Sequence, residues 1–344
     1  MNPFDLASYD FEFPEELIAH APAQKRSGSR LMDFSRQKIH HRLFSELQEI
    51  LASPCLFVRN VTRVRKARLR LKRATGAQIE ALVLGPSGEG RWLGMFRPSK
   101  RLKIGEKLEL GGGWLQIFAR KEDGTLEFEF VGIDDPEALF LEEGEMPLPP
   151  YIEPGHADEE RYQTVFARET GAAAAPTAGL HFDEELIENL KARNHRFLDV
   201  VLHVGPGTFK PVDTEDIRDF SIHRESIRLG MEEAALLREA RQNGTPIIAV
   251  GTTSLRVLET GYRANGWESG FEGPTSLFLY PGQKVHGADF LITNLHLPKS
   301  SLLMLIAAFL GPSDWRVLYQ EAIQKGYRFF SFGDAMRLPN LSGF

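Results

Sequence analysis

Proton exchange near neutral pH falls first to histidine, and three histidines stand where the chain turns. His203 ends an apolar run and precedes Gly205-Pro206-Gly207-Thr208. His296 follows Asn294 in Thr293-Asn294-Leu295-His296-Leu297-Pro298. His181 lies in AAAAPTAGLHF, residues 172–182, beside Thr177 and Gly179. A further turn, Gly251-Thr252-Thr253-Ser254, offers hydroxyls at a helix start, where free N–H groups favour an anion. Gly205 and Gly207 let a backbone approach a ligand closely. Each feature has a plainer alternative. A lone histidine in an apolar strand is a satisfied core residue, Thr252 to Ser254 cap a helix, and the segment around His181 is a loop. In Tyr327–Asp334, Arg328 and Asp334 pair with each other. Several such turns in one chain are better evidence than any one. No HExxH, GxxxxGK[ST] or GxSxG motif occurs, which leaves ordinary zinc hydrolase, P-loop and serine hydrolase chemistry unsupported. The single cysteine, Cys55, excludes disulfides within the chain, a thiolate zinc cage and a CxxC redox pair.

The elements that position these residues alternate. Strand-like Phe197–Val204 precedes the first turn. A helix over Glu232–Gln242, a short buried strand at Ile247–Val250 and a helix through Leu255 and Leu258 surround the second. Strand Phe290–Ile292 and a helix over Leu302–Phe309 flank the third. The aromatic Tyr327–Asp334 segment reads as a closing strand. Strands alternating with helices predict an α/β domain, in which ligands collect beyond the carboxyl ends of strands.

Residues 59–135 read differently. Runs at Gln78–Leu84, Trp92–Phe96, Lys107–Leu110, Trp114–Ala119 and Leu126–Val131 are split by glycine turns such as Gly85-Pro86-Ser87-Gly88, which suggests a small barrel. This stretch is basic. Arg59 to Lys107 holds fourteen Lys and Arg against three acids, a net of +11 in a chain of net −6, so the remainder carries −17. Arg63, Arg65, Lys66, Arg68, Arg70, Lys72 and Arg73 nearly alternate with apolar residues, and Arg97, Lys100, Arg101 and Lys103 follow. A solvated face is the bland reading. Two clusters in an acidic chain favour a surface for a phosphate backbone. The 344 residues suit two domains. The expectation is an α/β domain over 1–58 and 136–344, with a basic β-barrel, 59–135, inserted. Pro147–Pro154 reads as a stiff connector. The longest apolar run, Leu302–Leu310, is nine residues, against about twenty for a membrane span. Asp5 and Asp10 near the start argue against a signal peptide. A cytoplasmic protein is expected.

The chain resembles the S-adenosylmethionine:tRNA ribosyltransferase-isomerases of queuosine biosynthesis. The likeness rests on DFEFPEEL (10–17), Ser29-Arg30-Leu31, PLPPYI (147–152), ERYQT (160–164), AAPTAGLHF (174–182), LHVGPGTF (202–209), IAVGTTS (248–254), TNLHLP (293–298), Ser301–Met304 and YRFFSFGDAM (327–336). These span nearly the whole chain in the family's order. Departures stand at Val61, where the family typically has Asp, at Arg65-Lys66 for Ile-Pro, and at Leu295 and Phe332 for Phe and Tyr. The resemblance implies a large α/β domain with an inserted β-barrel. It implies transfer of the ribosyl part of S-adenosylmethionine to 7-aminomethyl-7-deazaguanine at the wobble position of tRNA, giving epoxyqueuosine, adenine and methionine. S-Adenosylmethionine is then a co-substrate, with no permanently bound cofactor and no metal, and the chain is expected to be monomeric.

That reaction sets the expected site. The sulfonium acidifies the adjacent ribose 5′ protons, adenine leaves more readily when protonated, and the attacking amine must be neutral. His181, His203 and His296 are expected to move these protons. Thr252, Thr253 and Ser254 are expected to hold the donor's carboxylate, and Asp334 or the Tyr327 face its sulfonium. Thr177, Gly205, Gly207 and Asn294 complete the donor site. Arg63, Arg65, Lys66, Arg68, Arg70, Arg97, Lys100 and Arg101 are expected on tRNA phosphates. Two other readings remain: a tRNA-binding paralogue impaired by Val61, and a related transferase with another acceptor.

Overall fold

A computed structural model describes residues 2–35, 37–149, 151–152, 159–205, 212–311 and 314–342. In chain order its strands are β1 (Arg30–Ser35), β2 (Lys38–Leu43), β3 (Leu56–Asn60), β4 (Thr62–Val64), β5 (Arg68–Arg73), β6 (Gln78–Gly88), β7 (Arg91–Arg97), β8 (Lys107–Leu110), β9 (Gly113–Arg120), β10 (Leu126–Val131), β11 (Glu169–Ala172), β12 (Arg196–Leu202), β13 (Glu225–Leu229), β14 (Ile247–Val250), β15 (Phe271–Thr275), β16 (Phe290–Asn294) and β17 (Ala335–Pro339). The helices are α1 (Leu47–Ile50), α2 (Pro136–Glu142), α3 (Glu184–Ala192), α4 (Met231–Gln242), α5 (Gly251–Asn265), α6 (Ser301–Leu310) and α7 (Asp314–Gln324). By compactness the chain forms two units: Met1–Thr62, Pro150–Glu169 and Ala175–Phe344, and Arg63–Pro149 with Thr170–Ala174.

The larger unit is mixed α/β. Its nine-stranded sheet runs β15-β13-β12-β3-β14-β16-β17-β1-β2. β12, β3, β14 and β16 are mutually parallel. All four residues of β14 are buried, as expected of a strand covered on both faces. α6 is apolar nearly all round and almost wholly buried, so it is a core helix. Among the described residues no single helix is long and apolar enough to cross a membrane.

The smaller unit is a closed barrel, β10-β7-β6-β5-β8-β9. Leu69, Leu71, Ile79, Ala81, Leu108, Leu115 and Phe128 fill its core. Along β5 these leucines alternate with Arg68, Arg70 and Lys72 on the outer face.

Four features differ from expectation. Arg59 and Asn60 end β3 in the middle of the large sheet, so they do not open the barrel. Leu139 and Phe140 of α2 join the barrel core, because α2 presents its apolar side there, so the small unit extends past residue 135. Gly85–Gly88 is no turn: β6 runs through it with two register shifts against β7, and the positive φ of Glu89 and Gly90 makes the reversal. The closing strand is β17, not Tyr327–Asp334. Phe330 at φ +72° breaks extension there, and Gly333 folds back to donate to the Phe330 carbonyl at 3.0 Å.

Candidate active site

Parallel pairing brings the carboxyl ends of β12, β3, β14 and β16 to one edge of the large sheet. β17 is antiparallel to β16, and β1 parallel to β17, so Arg30 and Asp334 meet the same edge. The residues at these strand ends are the polar ones singled out from the sequence.

Asn60 fastens two of the ends. Its Oδ1 accepts the Leu202 N–H at 3.0 Å and the Thr62 N–H at 3.2 Å, and its Nδ2 donates to the Leu202 carbonyl at 2.9 Å. Thr62 and His203 are thereby set side by side, Thr62 Oγ1 3.0 Å from His203 Nδ1. The His203 ring stays half-buried. Two residues on, the Gly205 N–H donates to Glu225 Oε1 at 2.8 Å. Gly207 lies outside the described residues.

His181 is buried and held on both sides. Asn294 Nδ2 donates to its Nε2 at 3.0 Å, so Nδ1 carries the proton toward Ser29 Oγ at 2.7 Å. Thr177 Oγ1 donates to Asn294 Oδ1 at 3.0 Å, which fixes the amide's orientation. Phe44 stacks on the imidazole with centroids 5.1 Å apart. Burial pushes the His181 pKa down to about 4, against a smaller upward pull from Asp334. The expected Thr177, His181 and Asn294 are thus one network, and Ser29 is its fourth member.

His296 belongs to a different place. Its Nε2 lies 2.9 Å from Thr293 Oγ1, and its backbone N–H donates to the Tyr319 hydroxyl at 3.0 Å. Thr293 and Asn294 are successive on β16 and face opposite sides of the sheet, so His296 is fastened away from His181. Burial lowers its pKa to about 3. No hydrogen bond joins any two of the three histidines among the described residues.

Where β14 ends, α5 starts directly at Gly251, whose φ is +88°. Thr252 is buried. Ser254 Oγ donates to the Val250 carbonyl at 2.7 Å, a bond within the helix that occupies its hydroxyl. Thr253 Oγ1 is buried without a hydrogen-bond partner among the described residues.

Asp334 and Tyr327 are engaged within the protein. The Asp334 carboxylate accepts the backbone N–H groups of Arg30 and Arg328, at 3.0 and 2.8 Å, and pairs with both guanidinium groups. Arg30 covers the Tyr327 ring at 4.1 Å, and the Tyr327 hydroxyl lies 2.8 Å from His41 Nδ1. That arrangement ties down the chain before β17, leaving neither group open to a sulfonium. Sequence reading missed Ser29, Asn60, Glu225 and Arg256. The last two form a buried ion pair between β13 and α5. Their only local signal was a charge set at apolar positions of an amphipathic pattern.

In the smaller unit the basic residues divide. Arg65 makes a two-pronged pair with Glu137, at 2.7 and 3.2 Å, and sits against the Trp92 and Phe140 rings. Arg70 pairs the same way with Glu145, and Arg73 with Glu106 at 2.6 Å. Arg68 donates to the Leu148 carbonyl and lies 3.9 Å from Glu80. Arg63 and Lys66 also have partners. Arg97, Lys100, Arg101 and Lys103 are exposed and form no ion pair among the described residues.

Known proteins match this arrangement along its length. Residues 6–338 fit the model of the family described as queuosine biosynthesis protein. The S-adenosylmethionine:tRNA ribosyltransferase-isomerase of Thermotoga petrophila is 46% identical over 334 residues, covering 96% of this chain and 98% of that one. That of Heliobacterium modesticaldum is 45% identical over 96% and 99%. The crystal structure of S-adenosylmethionine tRNA ribosyltransferase from Thermotoga maritima aligns with a TM-score of 0.56 and 37% identity, over 96% of this chain and 99% of that one. With the strand-end motifs and the closed barrel present in one chain, it belongs to the queuosine biosynthesis protein family.

Proposed function

We propose that this chain transfers and isomerises the ribosyl moiety of S-adenosylmethionine onto 7-aminomethyl-7-deazaguanine at the wobble position of tRNA, giving epoxyqueuosine and releasing adenine and methionine. The observation that carries this reading is near-full-length identity to relatives of that name. The convergence of the strand ends supports it.

The chain's own residues suggest a division of labour. His181 and His296, at about 4 and about 3, are neutral at pH 7 and poor proton acceptors. His181 then acts as a positioning group, holding Asn294 and Thr177 at the edge. His203, half-buried beside Thr62, is the histidine left to take the ribose 5′ proton. His203→Ala is expected to lower turnover by roughly 100-fold, the low end of general-base catalysis, with little change in stability. An unaltered rate would remove it from the mechanism. The tRNA phosphates fall to Arg97, Lys100 and Arg101, which form no ion pair among the described residues, ahead of the carboxylate-paired Arg65, Arg68 and Arg70.

The impaired-paralogue reading turns on Val61. It is buried and lines a recess of about 210 Å³ with Arg168, Asp199 and Arg228. Asp199 already binds Arg168 and Arg59, both at 2.6 Å, so an apolar residue at 61 leaves neither of those cations unpaired. That favours an intact enzyme. Incubating the protein with S-adenosylmethionine and tRNA bearing the aminomethyl base, then analysing nucleosides by mass spectrometry, tests the proposal. Epoxyqueuosine with matching adenine is expected. A folded, tRNA-binding protein that gives none would favour the paralogue. Adenine release without a modified wobble base would favour another acceptor.

A further inference from the structure

Arg256 lies one turn into α5 and is only 5% exposed. Its Nε donates to the Leu277 carbonyl at 3.1 Å, and its Nη1 pairs with Glu225 Oε2. The other Glu225 oxygen accepts the Gly205 N–H. These partners share one location. Gly205 follows the carboxyl end of β12. Glu225 opens β13, which is antiparallel to β12, and Thr275 ends β15 opposite Glu225. Leu277 lies just beyond. All three therefore stand at the edge where β14 hands over to α5. The guanidinium leans back along its helix toward the N-terminus, as helical side chains do.

At that end two donors have no acceptor among the described residues. Arg256 Nη2 is buried and has no hydrogen-bond partner among the described residues, and the same holds for Thr253 Oγ1. Three residues apart, they are neighbours on the helix surface. A buried guanidinium N–H without an acceptor is costly and calls for an explanation. Glu225 already balances the Arg256 charge, so what the place lacks is acceptor atoms. The first N–H groups of α5 and its dipole favour an anionic acceptor there. We propose that Arg256 Nη2 and Thr253 Oγ1 hold the carboxylate of the methionine portion of S-adenosylmethionine, one donor to each oxygen. Ser254, committed to the Val250 carbonyl, takes no part. The assignment rests on the proposed reaction for the identity of the donor molecule.

Decarboxylated S-adenosylmethionine keeps the sulfonium and the adenosine and lacks only the carboxylate. Calorimetric titration of the wild-type protein with each compound should show tighter binding of the intact one, by about 10- to 100-fold, the range of a hydrogen bond to a charged group. Arg256→Gln and Arg256→Lys should bring that ratio toward one, and Thr253→Val should lower it in part. Damage to the fold would weaken both compounds alike and leave the ratio unchanged. Equal binding of the two compounds by the wild type overturns the assignment whether or not any variant folds. An unchanged ratio in a folded Arg256→Gln protein also overturns it, and leaves a buried water as the donors' partner. Failure of the wild type to bind S-adenosylmethionine at all would instead remove the reaction on which the assignment rests.

Discussion

His181 and His296 are kept neutral by burial, with pKa values of about 4 and about 3 against about 6.5 in an unfolded chain. The unfolded chain binds the extra protons first, so stability must fall as pH drops from about 6.5 toward those values. His181 alone should cost about 2 kcal/mol between pH 7 and pH 5. Urea unfolding of wild type and His181→Gln at both pH values checks this, since the variant should lose less on acidification. A second prediction concerns Val61. Burial raises the Asp199 pKa, but Arg59 and Arg168 outweigh that and hold it below the usual carboxylate range. Val61→Asp adds a second buried carboxylate beside it. We expect about 1–3 kcal/mol of lost stability and no gain in activity by the nucleoside assay. A rise in activity would restore the impaired-paralogue reading. The residue types of this site were legible, since histidine, threonine and asparagine at strand ends stand out against apolar runs. Their partners were not. Ser29 lies 152 positions from His181, and their meeting depends on β1 entering the sheet in reverse, which no local pattern encodes.

Among elements, α5 carries the most. It begins without a side-chain cap, on a glycine at φ +88°. A Cβ there would meet only ordinary contacts, with Ala178 and Thr253 at 3.5 Å, so conformation rather than space demands glycine. Gly251→Ala should cost about 1–2 kcal/mol, read as a lower urea midpoint with an unchanged slope. Short buried strands such as Ile247–Val250 were legible because apolar runs between turn residues leave few options. Tyr327–Asp334 was not. Its aromatic density suggests a strand, but Asp334 collects the Arg30 and Arg328 backbone N–H groups and bends the segment into a turn. Long-range hydrogen bonds to a buried carboxylate override propensity there.

At the scale of the whole chain, the division between paired and unpaired cations becomes a prediction about salt. Replacing Arg97, Lys100, Arg101 and Lys103 together with Gln should lower the slope of log affinity for tRNA against log salt by about 3, given about 0.7–0.9 per phosphate contact. Arg65→Gln with Arg70→Gln should change it by less than about 1, since those charges are already balanced within the protein. Filter binding between low and moderate salt separates the two cases. The basic segment was readable from composition. Which of its charges remain available was set by Glu137, Glu145 and Glu106, and only the folded barrel shows those pairs.

The order of the large sheet has a bearing on how this protein is made. β17 is inserted between β16 and β1, so the strand of this sheet that comes last in chain order seals the sheet's interior. Until then β1 and β2 can form only a hairpin, with the β1 edge open. A message cut short before Ala335 would yield a chain with its sheet parted in two, a natural target for proteolytic clearance. The larger unit's sheet therefore becomes continuous only after its other eight strands have been made.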